Sequence, residues 1–152
     1  MELPRTKNLK QIVVKLAESQ SEIRAAFDIR HRVFVQEQQI PGEEERDEAD
    51  DSALHAIAVL NGEALGTGRV VIQDGGIARI GRMAVDKSSR GIGVGGRILT
   101  LLEDEARAKG SRWSVLHAQE YIKAFYVNRG YQQYGEVFDE VDIPHVEMRK
   151  RL

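Results

Sequence analysis

Four glycines crowd into Arg90-Gly91-Ile92-Gly93-Val94-Gly95-Gly96, between a stretch of strand pattern and a stretch of helical pattern. Glycine lets backbone N–H groups approach a ligand without a Cβ in the way. A helix's first turn adds donors that no carbonyl of the helix satisfies, together with the positive end of its dipole. The combination suits phosphate groups, and Arg90 can add a charge-assisted contact. Gly91, Gly93 and Gly96 also fit the G-x-G-x-x-G spacing of nicotinamide-dependent oxidoreductases. That fold needs a first strand running straight into the glycines. Here Asp86 to Arg90 intervene, and about 85 residues rich in hairpin signals come first. No Gly-Lys-Ser/Thr follows, which excludes a Walker A loop. The plain alternative is a loop without a ligand, but glycines at a helix start cost about 1 kcal/mol each against alanine.

Other residues able to do chemistry are dispersed. The four histidines show no paired ligand spacing, so no metal site is expected. Cysteine is absent, which excludes a disulfide scaffold, a thiolate-bound metal and a thiol nucleophile. Glu43 to Asp51 reads EEERDEADD, seven acids and one arginine. Such a run is ordinarily a solvated face. It could instead draw in a cationic amine, or pair with Arg30 and Arg32. Tyr126, on burial habits alone, reads as a core aromatic. His117 falls in phase with Trp113 and Val115 and reads as a sheet histidine; His145, after Pro144, reads similarly.

The positioning elements follow from periodicity. Residues 11–16 and 53–60 read as strands. Ser19 with Glu22 is a capping-box pattern, opening a helix whose apolar stripe is Ile23, Phe27, His31 and Phe34. Asn61-Gly62 predicts a type I′ hairpin into a strand over 64–73. Asp74-Gly75-Gly76 turns into a strand over 77–85 that is apolar on both faces, as a central strand covered twice should be. Ile98, Leu99, Leu102 and Ala106 mark a helix ending at Gly110. A strand over 112–118, a helix over 120–129 and closing strands over 131–138 and 143–150 complete the order β-α-β-β-β-α-β-α-β-β. That order implies a mixed sheet with helices on its faces.

The chain has 152 residues, the size of one domain spanning 1–152. Its 22 basic and 24 acidic residues give a net charge of −2, which disfavours nucleic acid as a partner. No apolar run approaches a membrane span, and Met1 to Lys10 is polar and basic without a signal-peptide core. A cytoplasmic protein is expected.

Arg90-x-x-Gly93-x-Gly95 resembles the R/Q-x-x-G-x-G/A acyl-CoA motif of the GNAT N-acetyltransferases. Residues 80–85, IGRMAV, resemble that family's fourth strand, and residues 124–131, AFYVNRGY, its FYxxxGY segment. The stretch Arg30 to Gln38, the acidic run, His55, Ala118-Gln119 and Ile143-Pro144-His145 resemble the ElaA-like branch. The likeness extends from about residue 11 to the end. It implies an α/β (α+β) fold: a mixed, mostly antiparallel sheet of about six or seven strands, splayed between the fourth and fifth, with helices on both faces.

The resemblance implies transfer of an acetyl group from acetyl-CoA to a primary amine of a small molecule or peptide. A module with this fold that binds acyl-CoA without turnover is the alternative. By position, the amides of Gly91, Gly93, Val94, Gly95 and Gly96 would hold the pyrophosphate, with Arg90 beside them. Met83, Ala84 and Val85 would meet the pantetheine arm and polarise the thioester carbonyl. Gln119 would offer an amide near that arm. Tyr126 would protonate the departing thiolate, because a phenol still holds its proton at pH 7. The general base has no matching acid on the fourth strand; Glu37, His117, Glu120 and His145 are its candidates. Members of the family are often dimers, which leaves assembly open.

Overall fold

The computed structural model describes residues 8–152, so most of the polar start lies outside it. Seven strands form one sheet: β1 (Val13–Leu16), β2 (Leu54–Leu60), β3 (Glu63–Gln73), β4 (Ile77–Val85), β5 (Trp113–Gln119), β6 (Gln132–Glu140) and β7 (Ile143–Arg151). Their spatial order is β1-β2-β3-β4-β5-β7-β6. Neighbours run antiparallel except β4 and β5, which are parallel. The helices are α1 (Gln20–Arg30), α2 (Gly42–Glu45), α3 (Val94–Ala108) and α4 (Lys123–Val127).

The β4–β5 ladder holds only Ile77–Trp113, Ala78–Ser114 and Arg79–Val115. Beyond Arg79 the strands part. The cause lies in β4, where Gly81 still pairs with Arg69 but Ala84 pairs with Thr67, so two residues oppose Gly68. Arg82 takes up the extra length with φ +53°. A bulge bends its strand and sharpens the local twist, which carries β4 away from β5. A positive φ at a non-glycine residue leaves no composition signal, so the sequence shows the splay only through family resemblance.

One face is covered by α3. Its residues Ile98, Leu99, Leu102 and Ala106 are fully buried with Ala78, Ile80, Leu116 and Ala118, as the periodicity predicted. The other face is covered by α1. Ser19 Oγ accepts from Glu22 N at 3.1 Å, and Glu22 Oε1 accepts from Ser19 N at 3.2 Å, so the capping box is formed. The expected stripe is corrected in part: Phe34 is buried as expected, together with Ala26, Ile29, Arg30 and Val33, while Ile23 and Phe27 are half-buried and His31 is exposed. The helix passes at His31–Glu37 into π geometry, which shifts the inward face. Phe27 sits instead between the Arg30 and Arg46 guanidiniums, 4.7 and 4.3 Å from its ring centre. The expected 120–129 helix divides into a 3-10 turn, Glu120–Ile122, and α4. The Asn61-Gly62 turn has φ +51° and +79°, as its geometry requires. The β6–β7 turn achieves the same sign with Val141 and Asp142, at φ +46° and +59°. Val141 packs against the cluster of Ile29, Val33, Phe34, Ile40 and Ala84, tying that hairpin to the core under α1 and the π-helical stretch.

Candidate active site

The glycine turn leads into α3. Gly93 has φ +94°, a left-handed conformation that admits glycine without strain. The first amide paired within α3 is Arg97, 3.2 Å from Gly93 O. Val94, Gly95 and Gly96 precede it and carry the helix's unpaired donors. A Cβ on Gly96 would lie 2.8 Å from Arg129 Nη2. Glycine at this position therefore makes room for a guanidinium at the helix start. Arg129 lies over the Phe125 ring at 3.9 Å and donates to Phe125 O at 2.9 Å. A cleft of about 510 Å³ runs along this end of α3, lined in part by Gly93, Gly96, Thr100 and Arg129. Arg129 falls inside the AFYVNRGY segment, but its sequence position alone does not reveal which glycine it touches.

Arg90 is placed differently from its expected position among the amides. Its two Nη atoms each lie 2.8 Å from Glu37 Oε atoms, and Nε donates to Val85 O at 2.9 Å. It therefore braces the end of β4 against the π-helical stretch. The same contact argues against Glu37 as a proton acceptor, since the Arg90 hydrogen bonds hold its carboxyl below the usual range. Gln119, at the end of β5, donates to Gln38 Oε1 at 2.9 Å. Neighbours Glu37 and Gln38 thus reach both sides of the splay.

Tyr126 on α4 is 5 % exposed. Its ring stands edge-on to Phe125 and Tyr131, at 4.9 and 5.7 Å between centroids. Tyr131 is tied down through its hydroxyl, 2.7 Å from Ser114 Oγ and 2.9 Å from Glu103 Oε2. The Tyr126 hydroxyl has no hydrogen-bond partner among the described residues. Burial pushes the Tyr126 phenol up to about 12. It is a donor without an acceptor, beside a sheet whose β4 and β5 edges lack each other from Ile80 and Leu116 onward.

His117 lies on the opposite face of β5. Its Nδ1 is 3.1 Å from Glu140 Oε1, and its Nε2 is 3.7 Å from Glu147 Oε1. The Glu140 hydrogen bond raises the His117 imidazole above its usual range. His145 is buried, with Nδ1 2.7 Å from Ile143 O and Nε2 3.5 Å from Glu140 Oε2. Glu120 keeps one buried oxygen, Oε2, without a partner among the described residues.

Three of the seven acids in the run, Glu45, Asp47 and Asp50, are held by arginine. Arg30 is buried and binds Glu45, with Asp50 at 2.7 and 3.0 Å. Arg69 bridges Asp47 and Asp50, at 2.6 and 2.7 Å. Arg82, from the bulge, reaches Glu45 O at 2.9 Å and Asp47 at 3.2 Å. Arg32 does not join them; it pairs with Asp86 at 3.0 Å. Burial pushes the Asp50 carboxyl up, but the Arg30 and Arg69 guanidiniums outweigh it and hold the group below the usual range. No group of three or more metal-ligating side chains occurs among the described residues, and no described helix is long and apolar enough to cross a membrane.

The sheet, its splay and the glycine turn can be compared with known proteins. The acetyltransferase (GNAT) domain matches residues 15–152. The chain belongs to the GNAT acetyltransferase family. It is 36 % identical over 136 residues to the uncharacterized N-acetyltransferase YjcF of Bacillus subtilis, covering 89 % of this chain and 96 % of that one. Its fold superposes on Escherichia coli ElaA with a TM-score of 0.82 at 26 % identity, over 91 % of this chain and 99 % of that one. An acyl-CoA N-acyltransferase from Pseudomonas aeruginosa gives 0.79 at 29 % identity, over 91 % and 98 %. This GNAT chain is an acyltransferase with ElaA-like relatives, and its parallel β4–β5 pair sits where the sequence reading put the splay.

Proposed function

We propose that this acyltransferase moves an acetyl group from acetyl-CoA directly to a primary amine. The observation that carries the reading is the Tyr126 hydroxyl, without a partner among the described residues on a side chain only 5 % exposed, on the sheet face that α3 covers. The glycine cradle fits a diphosphate: the amides of Gly91, Gly93, Val94, Gly95 and Gly96 bind it, and Arg129 adds the charge that Arg90 spends on Glu37. The edge of β4 at Met83, Ala84 and Val85 that β5 does not reach lines the donor's arm, which pairs with the main-chain groups there that neither β3 nor Arg90 holds and is oriented by them at the thioester carbonyl. Gln119 closes the opposite side. The amine gives up its ammonium proton to solvent, the neutral nitrogen attacks the carbonyl and sheds its second proton to water, the carbon–sulfur bond breaks, and Tyr126 gives its proton to the thiolate and regains one from solvent. Support for the donor class comes from the family and from the name of the Pseudomonas aeruginosa structure.

The test is thermal unfolding with acetyl-CoA, and with NADH and ATP as controls at fixed salt. A ligand at 100 times its Kd adds about 2.7 kcal/mol. For a domain of this size that is a rise of about 2–8 °C in Tm. A rise with acetyl-CoA alone is expected, followed by thiol release in the presence of a primary amine. A rise with NADH instead would overturn the reading.

A further inference from the structure

The strand β5 passes His117 two residues after its last bond to β4. Continuing that register sets His117 opposite Gly81. Arg79 and Gly81 alternate with Ala78 and Ile80, which lie under α3, so Gly81 and His117 share the face away from α3. A Cβ on Gly81 would meet nothing within 4 Å. The space beside the splay on this face is therefore open. Around it stand His117 and Glu140, whose side chains are 36 % and 44 % exposed. Phe138 walls the group, edge-on to His117 at 5.0 Å and stacked on His145 at 6.2 Å.

The charges around His117 come from three strands. Glu140 on β6 and Glu147 on β7 face it, and Arg79 on β4 opposes its protonation. Glu147 is partly committed, because Arg149 lies 2.8 Å from its Oε2. Glu140 has no lysine or arginine within ion-pair distance among the described residues; Arg82 acts on it only through space, and His145 approaches its second oxygen. Among the described residues its ion-pair partners are thus two imidazoles, His117 at 3.1 Å and His145 at 3.5 Å, and no permanent cation.

We propose that Glu140 is the seat for the protonated acceptor amine on this side of the splay, and that the ammonium enters in exchange for the proton of His117. The inference rests on the acyl-transfer reading and names its substrate class: a cationic primary amine whose carbon chain lies against Phe138. An aromatic ring beside a carboxylate favours such a cation. Exchange has a reciprocal consequence. A cation on Glu140 removes the group that keeps His117 protonated, so the amine must lower the His117 pKa.

The experiment is NMR titration of the four imidazoles, in free and CoA-loaded protein, with butylammonium and with butanol at matched ionic strength. His117→Gln assigns the signal. Butylammonium is expected to lower the His117 pKa while butanol leaves it unchanged. The amine's affinity should fall by up to about tenfold per pH unit below that pKa. Glu140→Gln should abolish the response while keeping the Tm rise with CoA. An indifferent His117, or a response that survives Glu140→Gln, overturns the seat; a pair that merely braces the hairpin would give that result. Absence of the Tm rise with CoA would instead overturn the acyl-CoA reading.

Discussion

On the α3 face the proposed binding surface is main chain. Val94, Gly95 and Gly96 present amides, β4 presents an unpaired edge, and Arg129 and Tyr126 are the side chains that matter. On the α1 face it is side chain. Arg30, Arg69 and Arg82 hold Glu45, Asp47 and Asp50, while His117 faces Glu140. A main-chain site serves a ligand that never changes, since amides cannot be substituted away. A side-chain site can be rewritten one residue at a time. The arrangement suits an enzyme with one donor and a variable acceptor. It also predicts that damage on one face leaves the other working.

The largest effect belongs to Tyr126. Replacing it with phenylalanine removes the hydroxyl and keeps the edge-on ring contacts. Loss of a general acid costs about 10²–10⁴-fold, so kcat should fall by at least about 10²-fold while acetyl-CoA still raises Tm. The wild-type phenol, at about 12, keeps its proton through the usable range. Any fall of kcat on the alkaline side below about pH 10 must then come from another group. An unchanged kcat in Tyr126→Phe would remove the proton donor from the α3 face.

Asp50→Asn probes the other face. It strips Arg30 and Arg69 of a shared, buried carboxylate. Breaking a buried pair costs about 3–5 kcal/mol, and the half-exposed Asp47 offsets part of that for Arg69. A loss of about 3 kcal/mol in urea unfolding at pH 7 is expected. The sign with pH follows from the depressed folded pKa of Asp50. Its stabilisation is complete above the unfolded value, about 3.9, and is lost as pH falls through the folded value. The difference between wild type and Asp50→Asn should therefore narrow in acid. If the variant also loses acetyl-CoA binding when folded, the two faces are not independent.

Gly96→Val tests the α3 face without removing a charge. Its Cβ would need the space of the Arg129 guanidinium, 2.8 Å away. Displacing that group and narrowing the cradle should raise KM for acetyl-CoA about tenfold, equal to about 1.4 kcal/mol, with kcat little changed. A matched fall in kcat would mean that the turn also sets the position of Tyr126.

The two faces differ equally in what their sequence discloses. A main-chain cradle forces glycine into the chain, so Gly91 to Gly96 could be read as an anion site from composition alone, and α3 from its apolar stripe. The acidic run was visible, but not that three arginines from α1, β3 and β4 would hold it; those partners are 15 to 37 residues away along the chain. Glu140 escaped notice because its meaning comes from a β6–β7 turn built on Val141 and Asp142, which carry no turn signature. The π-helical register after Arg30 was equally silent, since one extra residue per turn changes which face is buried without changing composition.

The smallest effect separates two arginines that the sequence treats alike. Arg90 lies inside the glycine motif, yet its guanidinium is taken by Glu37 and Val85 O. Arg129 lies outside it, yet sits against Gly96. If the donor's phosphates are drawn by Arg129, then Arg129→Ala should raise KM for acetyl-CoA about fivefold, or about 1 kcal/mol. Added salt should shrink that difference, because its ions compete for the phosphates and screen charges within about 8 Å at 0.15 M. Arg90→Ala should act another way. It frees Glu37 and loosens the end of β4, so it should lower Tm and kcat with little dependence on salt. Steady-state KM at low and high salt distinguishes them. A salt-dependent KM effect in Arg90→Ala and none in Arg129→Ala would return the phosphate contact to the motif arginine and leave Arg129 as a prop for Phe125.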